Sequence, residues 1–234
     1  MAAIGSEVLV SRRPKRRLAV LALTVVALVL GACGDDGDEL ADLGEAAAVG
    51  SDDESPFQGV PLAEGTPKPE FTLTDTNGND FDFVADTDGS TTLLFFGYTH
   101  CPDICPPHLA QIAQVLDRPG TPTNVEVVFV TVDPERDTSE VIRDFLDQFD
   151  PSFIGLTGDP DDLAAAQLAA GVPVAIVEEP DEPGGDYLVG HSGEMRAYAP
   201  NGLGYVSFPF GTRQSQFVHD LEILDGLRTL DDTP

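Results

Sequence analysis

Two apolar runs, Thr91 to Tyr98 (TTLLFFGY) and Val125 to Val132 (VEVVFVTV), constrain the fold of this chain more than any other feature. A strand loses its polar alternation when both faces of its sheet are covered, which is the situation of parallel strands joined by helices. The intervening stretch supplies a helix over about Pro106 to Leu116. Beyond the second run, Val141, Ile142, Phe145, Leu146 and Phe149 fall at three- and four-residue steps, so an amphipathic helix is predicted over Thr138 to Phe149. A short strand over Ser152 to Leu156 precedes Asp159-Pro160, which introduces a helix over Asp161 to Ala170. Arg213 to Leu227 closes the chain as a last helix. Antiparallel signals flank this centre. Phe71 to Asp75 and Phe81 to Phe83 form a hairpin around Asn77-Gly78, and Glu194 to Tyr198 and Leu203 to Phe208 form another around Asn201-Gly202. Strands at Val172 to Val177 and Tyr187 to Val189 border a proline- and acid-rich loop from Glu178 to Asp186. The expectation is an α/β domain with a central mixed sheet and helices on both faces.

The N-terminal stretch reads differently. Arg12, Arg13, Lys15, Arg16 and Arg17 precede an apolar run from Leu18 to Leu30 and then Leu30-Gly31-Ala32-Cys33, the parts of an export signal. The run is short for a membrane span. Leu-Gly-Ala-Cys resembles the bacterial lipobox, which implies lipidation of Cys33 and anchorage at the extracytoplasmic face of the cell membrane by more than one acyl chain. Residues 1–32 are therefore expected to be a lipoprotein signal peptide and residues 33–59 an acidic, flexible, lipid-anchored tether. Residues 60–230 hold the folded domain. Five of the 12 basic residues but only Glu7 of the 41 acidic ones precede Cys33, so the chain after cleavage carries 40 acidic and 7 basic residues, a net of −33. Such a field repels phosphate backbones, so no nucleic-acid partner is expected, and it favours cations and basic partners.

Lipidation of Cys33 leaves two thiols, Cys101 and Cys105, between a buried strand and a helix N-terminus. In an oxidising compartment two cysteines can form a disulfide, but this one would close a very small loop and constrain little chain entropy. A helix N-terminus stabilises thiolate, which points instead to a reactive pair or to metal ligands. Two thiolates only part-fill a metal's coordination shell. His100, His108, His191 and His219 are the candidates for a third ligand, with His100 and His108 readable as surface polar residues and His219 as a capping or surface residue of the last helix. Spacing alone leaves the choice open.

Phe95-Phe96-Gly97-Tyr98-Thr99-His100-Cys101-Pro102-Asp103-Ile104-Cys105-Pro106 resembles the signature of the Sco/SenC copper proteins, which assist assembly of the binuclear copper site of cytochrome c oxidase. His191-Ser192 followed by Tyr198-Ala199-Pro200-Asn201-Gly202 is similar to that family's ligand histidine and the strand and turn after it. Thr131-Val132-Asp133-Pro134-Glu135-Arg136-Asp137 matches a further characteristic segment, and the resemblance covers about Gly59 to Leu227. It implies a thioredoxin-like fold, one copper ion per domain, as Cu(I) or Cu(II), held by Cys101, Cys105 and His191, and a metallochaperone serving the copper-accepting oxidase subunit. Soft sulfur with imidazole suits copper, and the same set could hold zinc. Gly190 departs from the pattern, since Asp commonly precedes the ligand histidine in this family. The alternative function is a thiol–disulfide oxidoreductase in which Cys101 and Cys105 are a redox-active pair, served by a thiol reductant, that reduces the copper-ligand cysteines of the oxidase subunit. A peroxidase of the peroxiredoxin kind is a weaker third reading, because its Thr-x-x-Cys turn is replaced by Tyr98-Thr99-His100-Cys101.

Overall fold

The computed structural model describes residues 55–178, 185–232 and 234. The stretch expected to be a signal peptide, Cys33, nearly all of the expected tether and the middle of the Glu178 to Asp186 loop lie outside the described residues. Among those that are described, no helix is long and apolar enough to cross a membrane.

The two apolar runs become β4 (Thr91–Gly97) and β5 (Val125–Thr131), paired in parallel from Thr91 opposite Val125 to Gly97 opposite Thr131. Every residue of β4 is buried, as its unbroken apolar character requires. β6 (Ile154–Thr157) continues the parallel set beside β5. The rest of the sheet is antiparallel. β2 (Thr72–Asp75) pairs with β6 and with β3 (Asp80–Asp82), while β9 (Glu194–Tyr198) and β10 (Leu203–Pro209) form the second hairpin on the other side of β4. β1 (Val60–Pro67) pairs with β10, giving eight strands in the order β1-β10-β9-β4-β5-β6-β2-β3. A separate two-stranded ribbon joins β7 (Ile176–Val177) to β8 (Val189–Gly190), so both strands are shorter than the sequence pattern suggests.

Helices cover both faces. Phe95 and Phe129 stand side by side on one face, where Phe95 meets His108 of α2 (Cys105–Leu116) and Phe129 meets Phe145 of α3 (Ser139–Leu146). α5 (Gln214–Gly226) packs beside α2. On the other face Tyr198 packs edge-on against Phe83 of α1 (Phe83–Asp86), and Arg196 donates to the Gly171 carbonyl just beyond α4 (Pro160–Ala169). Local signals set these ends. Thr138 accepts a hydrogen bond from the Val141 N–H at the start of α3, and Asp82 caps α1, so Phe83 begins a helix where the sequence pattern extends a strand.

The chain enters the sheet under a firm grip. The carboxylate of Asp220, wholly buried on α5, accepts the Gln58 and Gly59 N–H groups, each at 2.8 Å, and the Gln216 amide donates to the Gln58 carbonyl at 2.7 Å. Charge-assisted bonds of this kind are among the stronger ones in a fold.

Candidate metal centre

Three segments bring the candidate ligand atoms together at one end of the sheet. The loop after β4 carries Cys101, the first residue of α2 is Cys105, and His191 follows β8 directly. Cys101 Sγ lies 3.8 Å from His191 Nε2, Cys105 Sγ lies 3.7 Å from the same nitrogen, and all three atoms fall within 4.8 Å of one another. Both cysteines are free thiols. Gly97 makes room for this arrangement: a Cβ there would stand 2.8 Å from Cys105 Sγ and 2.9 Å from the Phe129 ring. Only glycine lets the second sulfur tuck beneath the end of β4.

The hydrogen bonds orient the site. His191 Nδ1 stands 2.9 Å from the Ser192 carbonyl, which can only accept, so Nδ1 carries a proton and the ring is held with Nε2 facing both sulfurs. Outer partners that fix a histidine's tautomer are a common feature of metal sites. The ring meets Tyr98 edge-on at 5.5 Å and Phe95 at 6.2 Å. Cys101 Sγ accepts the Cys105 N–H at 3.4 Å, so this sulfur occupies the open N-terminus of α2, where the residue Ile104 supplies no side-chain cap.

The two thiols differ in kind. The Cys105 thiol donating to it, with His191 and the backbone N–H groups of Cys105 and Ile104, holds Cys101 down to about 3 against the opposing effect of burial. Burial pushes the Cys105 thiol up, and its donation to Cys101 pushes it further. Burial works against charge on His191, but its contacts with Cys101 and Ser192 outweigh that and raise its pKa. The thiolate expected at the helix N-terminus is thus the sulfur outside the helix rather than the one that begins it. With two sulfurs and one imidazole nitrogen converging, the donor set suits copper in either oxidation state, and zinc with a further ligand.

The other histidines are elsewhere. His100 is half-exposed and hydrogen-bonded to Thr99, and His219 bonds Asp220. His108 corrects the surface reading, being wholly buried among Phe95, Phe210 and Phe217. Sequence reasoning also gave no role to Gly97 or Tyr98, although both lie within the twelve-residue segment that carries the cysteines.

The profile of the SCO1/SenC family matches residues 62–224, a span that includes Cys101, Cys105 and His191. The chain belongs to the SCO1/SenC family. This Sco domain is 40% identical over 122 residues to an Arabidopsis thaliana mitochondrial protein named SCO1 homolog 1, covering 51% of this chain and 35% of that one. It spans between 35% and 50% of the length of the first curated relatives it matches. Among solved structures, Bradyrhizobium japonicum ScoI with copper bound is 32% identical, with a TM-score of 0.58 over 71% of this chain and 98% of that one. Apo Sco1 from Thermus thermophilus is 33% identical, with a TM-score of 0.62 over 72% and 96%. The fold is thioredoxin-like, as in those structures. At Gly190 a Cβ would meet only the Ile176 carbonyl at 3.7 Å and Glu178 Oε1 at 4.0 Å, so crowding does not account for the missing side chain of this Sco domain.

Proposed function

We propose that this protein is a copper metallochaperone that takes up one copper ion through Cys101, Cys105 and His191 and passes it to the copper-accepting subunit of cytochrome c oxidase. The convergence of the three ligand atoms within 4.8 Å, with Nε2 turned toward both sulfurs, carries the reading. Soft sulfur favours Cu(I), and imidazole lets the same set hold Cu(II). The copper-bound Bradyrhizobium relative supports it, as does the family to which the chain belongs. Delivery then requires the acceptor's ligands to displace these three in turn. His191, only partly buried, stands at the rim while both sulfurs lie beneath it. Residues 33–59, anchored through a lipidated Cys33, would keep the domain at the extracytoplasmic face of the membrane. Anaerobic titration of the reduced protein with Cu(I) should give one tight site. A His191→Ala variant that holds copper as tightly as the parent would remove His191 from the ligand set.

One observation favours a second reading. A thiolate at Cys101 beside a protonated Cys105 is the arrangement of an attacking and a resolving thiol, which would reduce a disulfide between the acceptor's copper-ligand cysteines. Copper retention and reduction of an insulin-type disulfide, compared in the parent, Cys101→Ser and His191→Ala proteins, separate the two. His191→Ala should lose copper and keep reductase turnover if that chemistry is real.

A further inference from the structure

The segment Thr131 to Asp137 stands out in the sequence, yet neither reading of the cysteines and His191 uses it. It leaves the end of β5 and reaches both ligand-bearing segments. The Asp137 carboxylate, wholly buried, accepts the Thr99 N–H at 3.0 Å, the Thr99 hydroxyl at 2.6 Å and the Thr131 hydroxyl at 2.7 Å. That fixes the chain two residues before Cys101. Asp133, 2% exposed, accepts the Tyr187 hydroxyl at 2.8 Å and pairs with Arg136 Nε at 2.5 Å. Arg136 in turn donates from Nη1 to the Tyr187 carbonyl at 3.0 Å, and its guanidinium lies 3.5 Å from the centre of the Tyr187 ring. The same guanidinium lies 5.7 Å from the centre of the Tyr98 ring, which meets His191 edge-on and whose hydroxyl accepts the Val189 N–H at 3.3 Å.

We infer that this loop is a brace fixing the separation of the cysteine segment from the histidine segment, and that Arg136 is the positioning residue that holds His191 over the two sulfurs. The chemistry favours arginine specifically. The short ribbon of β7 and β8 has two residues in each strand and cannot hold His191 by its own pairing. A planar guanidinium can bond Asp133 and the Tyr187 carbonyl in its plane while stacking on an aromatic ring, which a lysine ammonium cannot do. The brace therefore locks the ribbon from outside, four residues before the ligand.

The inference rests on the copper reading, and two measurements keep their failures apart. In Cu(I) competition titrations, Arg136→Lys should weaken binding about tenfold when His191 is present, the lower end for a residue that orients a ligand. In a His191→Ala background the same change should alter binding less than twofold, because the residue through which it acts is gone. Equal losses in both backgrounds, or none in either, overturn the brace. The copper-free protein gives the independent readout. Hydrogen exchange at the Val189 amide should quicken about tenfold in Arg136→Lys and in Tyr187→Leu, with exchange in β4 and β5 unchanged. Unchanged exchange at Val189 overturns the brace whatever the metal result, whereas faster exchange in a protein that binds no copper overturns the copper reading alone.

Discussion

Acidification should unfold this domain partly through one histidine outside the metal site. His108 is wholly buried on α2, with ring-centroid distances of 5.3 Å to Phe95, 6.0 Å to Phe210 and 6.1 Å to Phe217, and among the described residues neither ring nitrogen has a hydrogen-bond partner. Burial alone lowers its pKa from 6.5 to about 4. In the unfolded chain the ring takes its proton near 6.5, whereas the folded protein resists until about 4. Between those values the unfolded state binds more protons, so stability falls as pH falls through the window. Integration from pH 7 to pH 4.5 gives a loss of about 2.5 kcal/mol from this group. Many carboxylates also titrate there, so the measurement is a comparison. Urea unfolding of the parent and of His108→Leu at both pH values isolates the term, because everything but the imidazole is common to the two. The parent should lose about 2.5 kcal/mol more than the variant, and the variant should be at least as stable at pH 7, having removed two unpartnered buried nitrogens. If the two proteins lose stability equally, to within ~0.5 kcal/mol, His108 does not sit in the dry cage described here.

Gly97→Ala should lower the melting temperature of the copper-free protein and weaken Cu(I) binding, since the new methyl would fall 2.8 Å from Cys105 Sγ; overpacking of this kind costs about 1–3 kcal/mol, and an unshifted melting curve would contradict it. Gly190→Asp should fold normally but place a second carboxylate beside Glu178. Its small loss of stability should shrink as salt is added, and a salt-independent loss would point to a steric cause instead. Lys68, 5% exposed and bonded to Thr87 and Ser90, has its pKa lowered to about 8 by burial, with Glu126 and Asp88 opposing. The unfolded chain holds that proton until about 10.5, so stability should rise by about 2 kcal/mol between pH 7.5 and 9.5 relative to Lys68→Met, and a flat difference would refute the burial cost.

The parallel centre of the sheet was legible because β4 and β5 carry their burial in their own composition. Both hairpins were legible from Asn-Gly turns. β1 was not: Val60–Pro67 has a proline at each end of its path and a mostly exposed pattern, and it holds to β10 through backbone pairing that leaves no periodicity to read. The cysteines announced themselves through their place between strand and helix. His191 rested on resemblance, because nothing local distinguishes it from three other histidines, and what selects it is a contact across 86 and 90 residues of chain. The brace was half visible. Its residues form a recognisable run, but their partners Thr99 and Tyr187 lie 38 and 54 residues away from Asp137 and Asp133, so their purpose appears only once the chain is folded. His108 was misread for a similar reason: its cage comes from β4, from α5 and from the turn after β10.

The grip of Asp220 on Gln58 and Gly59 fixes the end of the sheet at which the chain enters. Val60 stands opposite Ser207, and Pro209, two residues on, stands opposite Glu194, close behind His191. The chain therefore enters the sheet at the same end that carries Cys101, Cys105 and His191.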